Sequence, residues 1–203
     1  MAREFVDSGW NVKGLIEKIV LSETYRRDSA GSYAKDPENR LLARQARFRL
    51  PAELVRDNAL AASGLLVPTV GGPSVRPYMP KGVWDETNFY GNLRNYKNDS
   101  GDGLYRRSLY TFWKRTVPPP GLATFDAADR SVCTVKRQST HTPLQALVLL
   151  NETQFVEAAR FVGERMLREG GATAEQRVAW AFRLIAGRAP EIDMMGLDLS
   201  RFG

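Results

Sequence analysis

The sequence predicts a mainly α-helical, irregular domain of about six helices with two long packed loop regions. Three observations favour this fold class: apolar residues recur at helical spacing, N-terminal capping signals precede them, and Gly and Pro are concentrated in two intervening regions. The 203 residues, 43% of them apolar, are enough for a hydrophobic core. We expect one domain over 1–203, with helical parts at 1–66 and 105–189, a loop at 67–104 and an aperiodic tail at 190–203.

A helix is predicted to begin after Asn11, which is a suitable N-cap. Its apolar residues fall at positions i, i+3, i+4, i+7 and i+8, which predicts one buried helix face. These residues are Val12, Leu15, Ile16, Ile19 and Val20. The residues before it read as the end of an amphipathic helix.

Two further helices are predicted before residue 65. Asp36, Pro37 and Glu38 supply a capping acid, a helix-starting proline and a first-turn carboxylate, so we expect a helix that continues to Phe48. Pro51 starts another helix, which ends at Gly64 because glycine readily adopts the left-handed conformation of a helix end.

The loop at 67–104 is rich in Gly and Pro, which removes the helical period. Its aromatic residues predict that much of it is packed down, since a free linker would not carry them. These are Tyr78, Trp84, Phe89, Tyr90 and Tyr96. A packed loop is a candidate binding surface.

A helix is predicted from residue 105 to residue 116, ended by the prolines at 118–120. The second irregular region, 121–140, contains a β-prone run at 131–135, which predicts an isolated strand or one short strand pair.

The C-terminal third carries three successive helix-start signals. Each places a capping residue three positions before a glutamine: Thr142 with Gln145, Asn151 with Gln154, and Thr173 with Gln176. Glycines at 170–171 and 187 predict the ends of the last two helices.

Positive charge is concentrated in the middle of the chain. The whole sequence has 29 basic and 23 acidic residues, a net charge of +6, and the stretch from Leu104 to Gln138 alone contributes seven basic against two acidic residues. With the interleaved aromatic rings, this pattern is typical of surfaces that attract phosphate, sulfate or carboxylated glycans. The candidate ligand-binding residues are Arg106, Arg107, Trp113, Lys114, Arg115, Asp126, Arg130 and Arg137. The alternative, which we favour, is that these cations solvate a helix face, cover rings and pair with acids.

The residues indicate no catalytic constellation and no metal site, and whether the protein is an enzyme stays open. Cys133 and His141 are the only residues of their types, which excludes an internal disulfide and a His-rich metal cage. We expect the cysteine to be a small core side chain rather than a nucleophile, and the histidine to be a helix-entry residue. No Cys-x-x-Cys-His haem attachment motif occurs, so no cofactor is expected in this chain. No apolar run is long enough for a membrane span, and the first residues show no signal peptide.

Several runs together resemble a known family. They lie at 5–6, 9–13, 19–26, 36–42, 48–53, 56–57, 71–75, 105–110, 125–126 and 142–147, followed by Asn151. This pattern resembles the C-terminal domain of unknown function numbered fifteen fifty-three, found in large planctomycete-type proteins whose N-terminal parts include cytochrome-c-like domains. Three departures are a start inside the domain, an unmatched tail and His141 in place of an expected asparagine. We therefore expect a fragment of a larger multi-domain protein.

The resemblance implies context rather than a reaction. It implies an exported, periplasmic or extracellular protein, with cytochrome-c-like domains, and the haem c they hold, as partners in the parent chain. The first functional hypothesis is a helical accessory module that binds an anionic ligand or glycan. The alternatives are an enzyme domain acting on sulfated or acidic polysaccharide through Asp126 or Asp129, and nucleic-acid binding, which rests on charge alone and is disfavoured.

Overall fold

The structure, a computed structural model, describes residues 1–29, 35–46, 48–84 and 96–190. Within these ranges the chain forms seven α-helices and two short 3-10 helices, which confirms the mainly α fold class. Instead of the predicted strand pair, the described residues form only isolated β-bridges. The chain divides into two compact units, Met1–Arg49 and Leu50–Gly203. This division does not test the predicted single domain over 1–203, which stays a prediction.

The first unit contains helices α1 (Ala2–Asp7) and α2 (Val12–Val20). Asn11 is the predicted N-cap of α2: its side-chain oxygen accepts a hydrogen bond from the backbone N–H of Gly14 at 3.0 Å. The Lys18 ammonium pairs with the Glu4 carboxylate at 2.7 Å and so joins the two helices.

The apolar face of α2 is not buried as predicted. Val12 is 57% and Ile16 is 54% exposed, and α2 contains no buried residue. The spacing defines a face correctly, but a face is buried only where another element covers it.

The predicted helix at 36–48 is wrong. Residues 35–46 form turns, because the backbone is left-handed at Asn39 (φ 57°) and Leu42 (φ 54°), which no α-helix tolerates. The Asp36 carboxylate does accept backbone hydrogen bonds, from the N–H groups of Arg40 at 2.8 Å and Leu41 at 2.7 Å, but these lie four and five residues on rather than the two or three of a helix N-cap.

The second unit contains five helices. They are α3 (Ala52–Ser63), α4 (Pro120–Thr124), α5 (Pro143–Asn151), α6 (Thr153–Glu169) and α7 (Ala174–Ala186). Helix α6 is central: α3, α5 and α7 all pack against it, and α4 lies against α3 and α5.

The predicted helix boundaries in this unit are largely confirmed. Capping boxes start α5 at Thr142 and α7 at Thr173, and α3 ends at Gly64 with φ +80°. The predicted cap of α6 is off by one residue: Glu152, not Asn151, accepts hydrogen bonds from the first turn.

Two apolar clusters form the core of the second unit. One joins α3 to α4 through Ala52, Leu122 and Phe125. The other joins α3, α6 and α7 through Ala62, Val162 and Ala181. Helix α3 therefore contributes to both clusters, through Ala52 in one and Ala62 in the other.

The predicted helix at 105–116 is wrong. The only helical part of the segment is the 3-10 turn Ser108–Tyr110, and its other residues form turns, isolated bridges and irregular structure. Its backbone groups are committed elsewhere: Val75 donates to Tyr110 O at 2.8 Å and accepts from Phe112 N–H at 2.8 Å. These tertiary hydrogen bonds outweigh the helical periodicity, and the prolines at 118–120 lead into α4, whose first residue is Pro120, instead of ending a helix.

The packed state of the loop at 67–104 is confirmed for the aromatic residues that the structure describes. Trp84 is 2% exposed and meets the Tyr96 ring edge-on, with ring centroids 4.8 Å apart, and Tyr78 is half-buried. Phe89 and Tyr90, like residues 191–203 of the predicted tail, lie outside the described residues.

The run at 131–135 is not a strand. Its residues are exposed, Val135 fully so, and Cys133 is an exposed free thiol rather than a core side chain. A β-prone run forms a strand only where a partner strand is available.

Candidate functional site

Arg106, the first of the predicted ligand-binding residues, is buried and holds a neighbouring loop. Its guanidinium donates hydrogen bonds to the backbone carbonyls of Pro73 at 2.9 Å, Thr69 at 3.2 Å and Gly71. The guanidinium also stacks on the ring of Tyr110, 4.0 Å from its centroid. Arg106 therefore fixes the backbone at 69–73, and its side chain is not part of an exposed basic surface.

Two more of the predicted ligand-binding residues, both cationic, lie over aromatic rings. The ammonium of Lys114, 8% exposed as a residue, is 4.8 Å from the ring centroid of Trp84. The Arg130 guanidinium lies 4.6 Å from the ring of Trp113, whose indole N–H donates to the Asp129 carbonyl at 2.9 Å. Cation–π contacts of this kind were the alternative interpretation of the basic stretch.

Arg137 is paired with an acid of α3. Its guanidinium lies 2.6 Å from the Glu53 carboxylate. Burial of Glu53 opposes its ionisation, but the hydrogen bond from Arg137 and the charge of Arg130 outweigh it and lower the pKa of this carboxyl. The structure thus brings Trp113, Arg130 and Arg137 together around an acid.

Asp126 closes the loop that follows α4. Its carboxylate accepts hydrogen bonds from the backbone N–H of Thr140 at 2.8 Å and from the Thr140 hydroxyl at 2.9 Å. The pKa of the exposed Asp129 carboxyl is lowered by hydrogen bonds from Ser131 and by the charge of Arg115. Arg107 and Arg115 are exposed. The ligand-binding role of the predicted residues stays a prediction.

A cleft of about 300 Å³ lies elsewhere in the second unit, and none of the predicted ligand-binding residues lines it. Its walls come from α3, α4, α5, the start of α6 and the loop at 77–80. Most of the side chains on these walls are apolar: Pro77, Tyr78, Pro119, Pro120, Leu122, Phe125, Leu144, Leu147, Val148 and Phe155. Leu144 and Leu147 are more than half exposed, so they form an open rim.

Local sequence explains the positions of these walls. Pro120 is accommodated in the first turn of α4 because its missing N–H would be unsatisfied there in any residue. The capping box of α5 fixes where that helix begins, and Leu144 and Leu147, three residues apart, share a helix face toward the cleft.

Arg56 supplies a buried cation to the cleft lining. It is 7% exposed, and its Nε donates to the Gln154 side-chain oxygen at 2.6 Å. Its terminal nitrogens donate to Leu104 O at 2.8 Å, Arg106 O at 2.9 Å and Ser108 Oγ at 3.1 Å. Burial lowers the pKa of Arg56, against the opposing charges of Asp57 and Glu152. The residue joins α3 to α6 and to the extended segment between them.

Glu152 supplies a carboxylate to the same cleft while capping α6. Its Oε2 accepts from the backbone N–H groups of Gln154 at 3.2 Å and Phe155 at 3.3 Å. Burial raises the pKa of this carboxyl, opposed by these two hydrogen bonds and by the charge of Arg56. Thr111 also lines the cleft, and its buried hydroxyl has no hydrogen-bond partner among the described residues.

Sequence reasoning missed this cleft because its residues are scattered over a hundred positions. One signal was visible: apart from Gln145, every residue at 144–150 is apolar, and Leu144, Leu147 and Leu150 are each more than half exposed in α5. A short helix without a polar face needs apolar neighbours on more than one side.

The described residues offer no group of three or more metal-ligating side chains. No helix in the described ranges is long and apolar enough to cross a membrane. Cys133 and His141 are both exposed.

Comparison with known proteins gives a family but no function. The sequence model of PSD1, described as a protein of unknown function (DUF1553), matches residues 1–196. No curated protein and no solved structure matches the chain.

Proposed function

The chain belongs to the PSD1 family of proteins of unknown function (DUF1553), and we propose that its second unit is a non-catalytic binding module. The ligand, or the apolar part of a larger one, occupies the cleft between α4 and α5. The observation that carries this proposal is a 300 Å³ cleft with mainly apolar walls and a few polar side chains. That size is at the lower end of about 300–1,000 Å³, the range of small-molecule sites.

We propose the same setting for the module that the sequence resemblance implies. The domain is an accessory part of an exported, multi-domain protein with cytochrome-c-like domains, in the periplasm or outside the cell. The resemblance supports this setting, and a binding role is compatible with it.

The enzyme alternative is less well supported by the geometry. Asp126, one of its two proposed catalytic carboxylates, accepts hydrogen bonds from Thr140 with both of its oxygens. Asp129 is fully accessible, and its hydrogen bonds and the charge of Arg115 favour the ionised form. Neither aspartate lines the cleft.

The test uses an uncharged ring compound, para-methylanisole, and saturation-transfer NMR on the full chain. Gly121 lines the cleft, and a Cβ built there meets no heavy atom within 4 Å, so Gly121→Leu adds an apolar side chain at the cleft from an open position. We expect the wild-type protein to bind the probe and this variant to lose binding.

Gly163→Leu is the matched control. Gly163 lies in α6, away from the cleft lining, and a Cβ there also meets nothing within 4 Å. It should bind the probe like the wild type. Equal loss in both variants, or no binding by the wild type, would contradict the proposal.

A further inference from the structure

The cleft carries two charges of opposite sign. Arg56 and Glu152 both contribute to its lining, and the charge of each favours the ionised form of the other. A ligand with a net charge would meet one attractive and one repulsive group, and would lose hydration among apolar walls. The lining therefore favours an uncharged ligand.

The two charged groups differ in what they can still bind. Four hydrogen bonds from Arg56 go to protein acceptors: one from Nε, two from Nη1 and one from Nη2. An anion would have to compete with the carbonyls of Leu104 and Arg106 for this guanidinium. Its hydrogen bonds are needed to hold α3 on its neighbours, so the guanidinium is a poor ligand group.

Glu152 retains an acceptor. Only its Oε2 accepts hydrogen bonds from the described residues, from the N–H groups of Gln154 and Phe155. Its Oε1 has no donor in that part of the chain. A carboxylate oxygen in a mostly apolar cleft is stabilised when a donor reaches it, because charge-assisted hydrogen bonds are among the strongest in proteins.

The apolar walls indicate the body of the ligand. Tyr78, Phe125 and Phe155 present aromatic rings, and Pro77, Pro119 and Pro120 present rigid saturated rings. Such walls suit a flat or cyclic hydrocarbon group, which packs on rings at little entropic cost.

We propose that the cleft selects an uncharged cyclic hydrocarbon that bears a hydroxyl group, and that Glu152 Oε1 accepts the hydrogen bond from that hydroxyl. The inference rests on the proposed function and adds the chemical class of the ligand. The anionic ligand predicted for the basic stretch is a separate matter, because none of those residues lines the cleft.

The experiment compares four probes that share one ring by NMR titration of the full chain near neutral pH. They are para-cresol, para-methylanisole, para-toluate and para-methylbenzylamine. We expect para-cresol to bind about tenfold more tightly than para-methylanisole, which lacks the donor. The anion and the cation should bind more weakly than either uncharged probe.

Two variants test the role of the carboxylate. Glu152→Gln removes the charge but keeps an oxygen for the α6 cap, and Glu152→Asp keeps a strong cap while withdrawing the carboxylate by one methylene. Both should lose most of the preference for para-cresol and retain the binding of para-methylanisole. Asp is among the best N-caps, so at least this variant should fold.

The outcomes separate the two proposals. Equal binding of para-cresol and para-methylanisole, or an unchanged preference in both variants, would overturn the hydroxyl inference and leave the proposed function standing. Tightest binding of para-toluate or para-methylbenzylamine would overturn the selection for an uncharged ligand. Binding of none of the four would overturn the proposed function as well.

Discussion

The guanidinium of Arg56 and the side-chain amide of Gln154 are hydrogen-bonded at 2.6 Å although ninety-eight residues separate them in the sequence. The same glutamine donates to the Leu104 carbonyl at 3.0 Å, to which Arg56 also donates. Through this shared acceptor, α3 and α6 are joined to Leu104 by hydrogen bonds between buried residues.

Replacing the guanidinium of Arg56, with its several N–H donors, should destabilise the second unit strongly. Lys at this position carries a single nitrogen and cannot reach Gln154, Leu104 and Ser108 together, so buried acceptors lose their donors. We expect Arg56→Lys to lower the free energy of unfolding by about 3 kcal/mol, measured by urea denaturation. The exposed Arg160 of α6 is the control: Arg160→Lys should change the value by less than about 0.5 kcal/mol. Similar small effects at both positions would contradict the structural role of the buried arginine.

The pair of Glu53 and Arg137 should stabilise the fold in a pH-dependent way. The folded pKa of Glu53 lies below its usual value of 4.5. Its stabilisation is therefore complete above pH 4.5 and is lost as the pH falls through the folded pKa. Because Arg137 is 43% exposed, we expect Arg137→Gln to cost only about 0.5 kcal/mol near neutral pH and less once the pH has fallen through the folded pKa of Glu53. Lys136→Gln, at an exposed position, serves as the control. A destabilisation by Arg137→Gln that grows as the pH falls would contradict the stabilising role of the pair.

Asp126 should hold the loop at 127–139 against proteolysis. Asp126→Asn tolerates the same left-handed backbone (φ 59°) but replaces one accepting oxygen with a donor. We expect trypsin to cleave this loop about tenfold faster in the variant, which corresponds to the loss of one charge-assisted hydrogen bond. Asp129→Asn is the control because its carboxylate accepts from close neighbours in the sequence, Ser131 and Val132. Equal cleavage rates in the wild type and Asp126→Asn would contradict the role of Asp126 in holding this loop.

If an anion-binding surface exists, it should depend on the exposed arginines. We expect the double variant Arg107→Gln/Arg115→Gln to leave a heparin column at lower salt than the wild type, because both side chains are free to reach sulfate groups. The control pair Arg160→Gln/Arg168→Gln makes the same change in net charge on α6. An equal shift for both pairs would indicate attraction by net charge alone.

Local capping signals predicted helix ends correctly where no tertiary hydrogen bond competes with them. The capping boxes at Thr142 and Thr173 and the glycine at 64 place helix ends correctly because they satisfy the terminal backbone groups with nearby side chains. The failures have the opposite origin. Residues 105–116 have helical periodicity, but their N–H and C=O groups bond to Val75, Arg56 and Asp57, which no local pattern contains.

The candidate site was beyond prediction for a related reason. The basic stretch was conspicuous in composition, yet Arg106, Lys114 and Arg137 find internal acceptors, rings or acids once the chain folds. The cleft has no motif: Arg56 and Glu152 contribute to the same lining only because α3 packs on α6.

The packing of α3 on α6 also shapes how the second unit folds. Helices α5, α6 and α7 follow one another along the chain and can dock early through short connections. Helix α3 must wait until a loop of nearly a hundred residues has closed, which makes its docking slow. During synthesis α3 leaves the ribosome well before α6 exists, so in the nascent chain its arginine stays hydrated and its apolar face unprotected until the last third of the protein emerges.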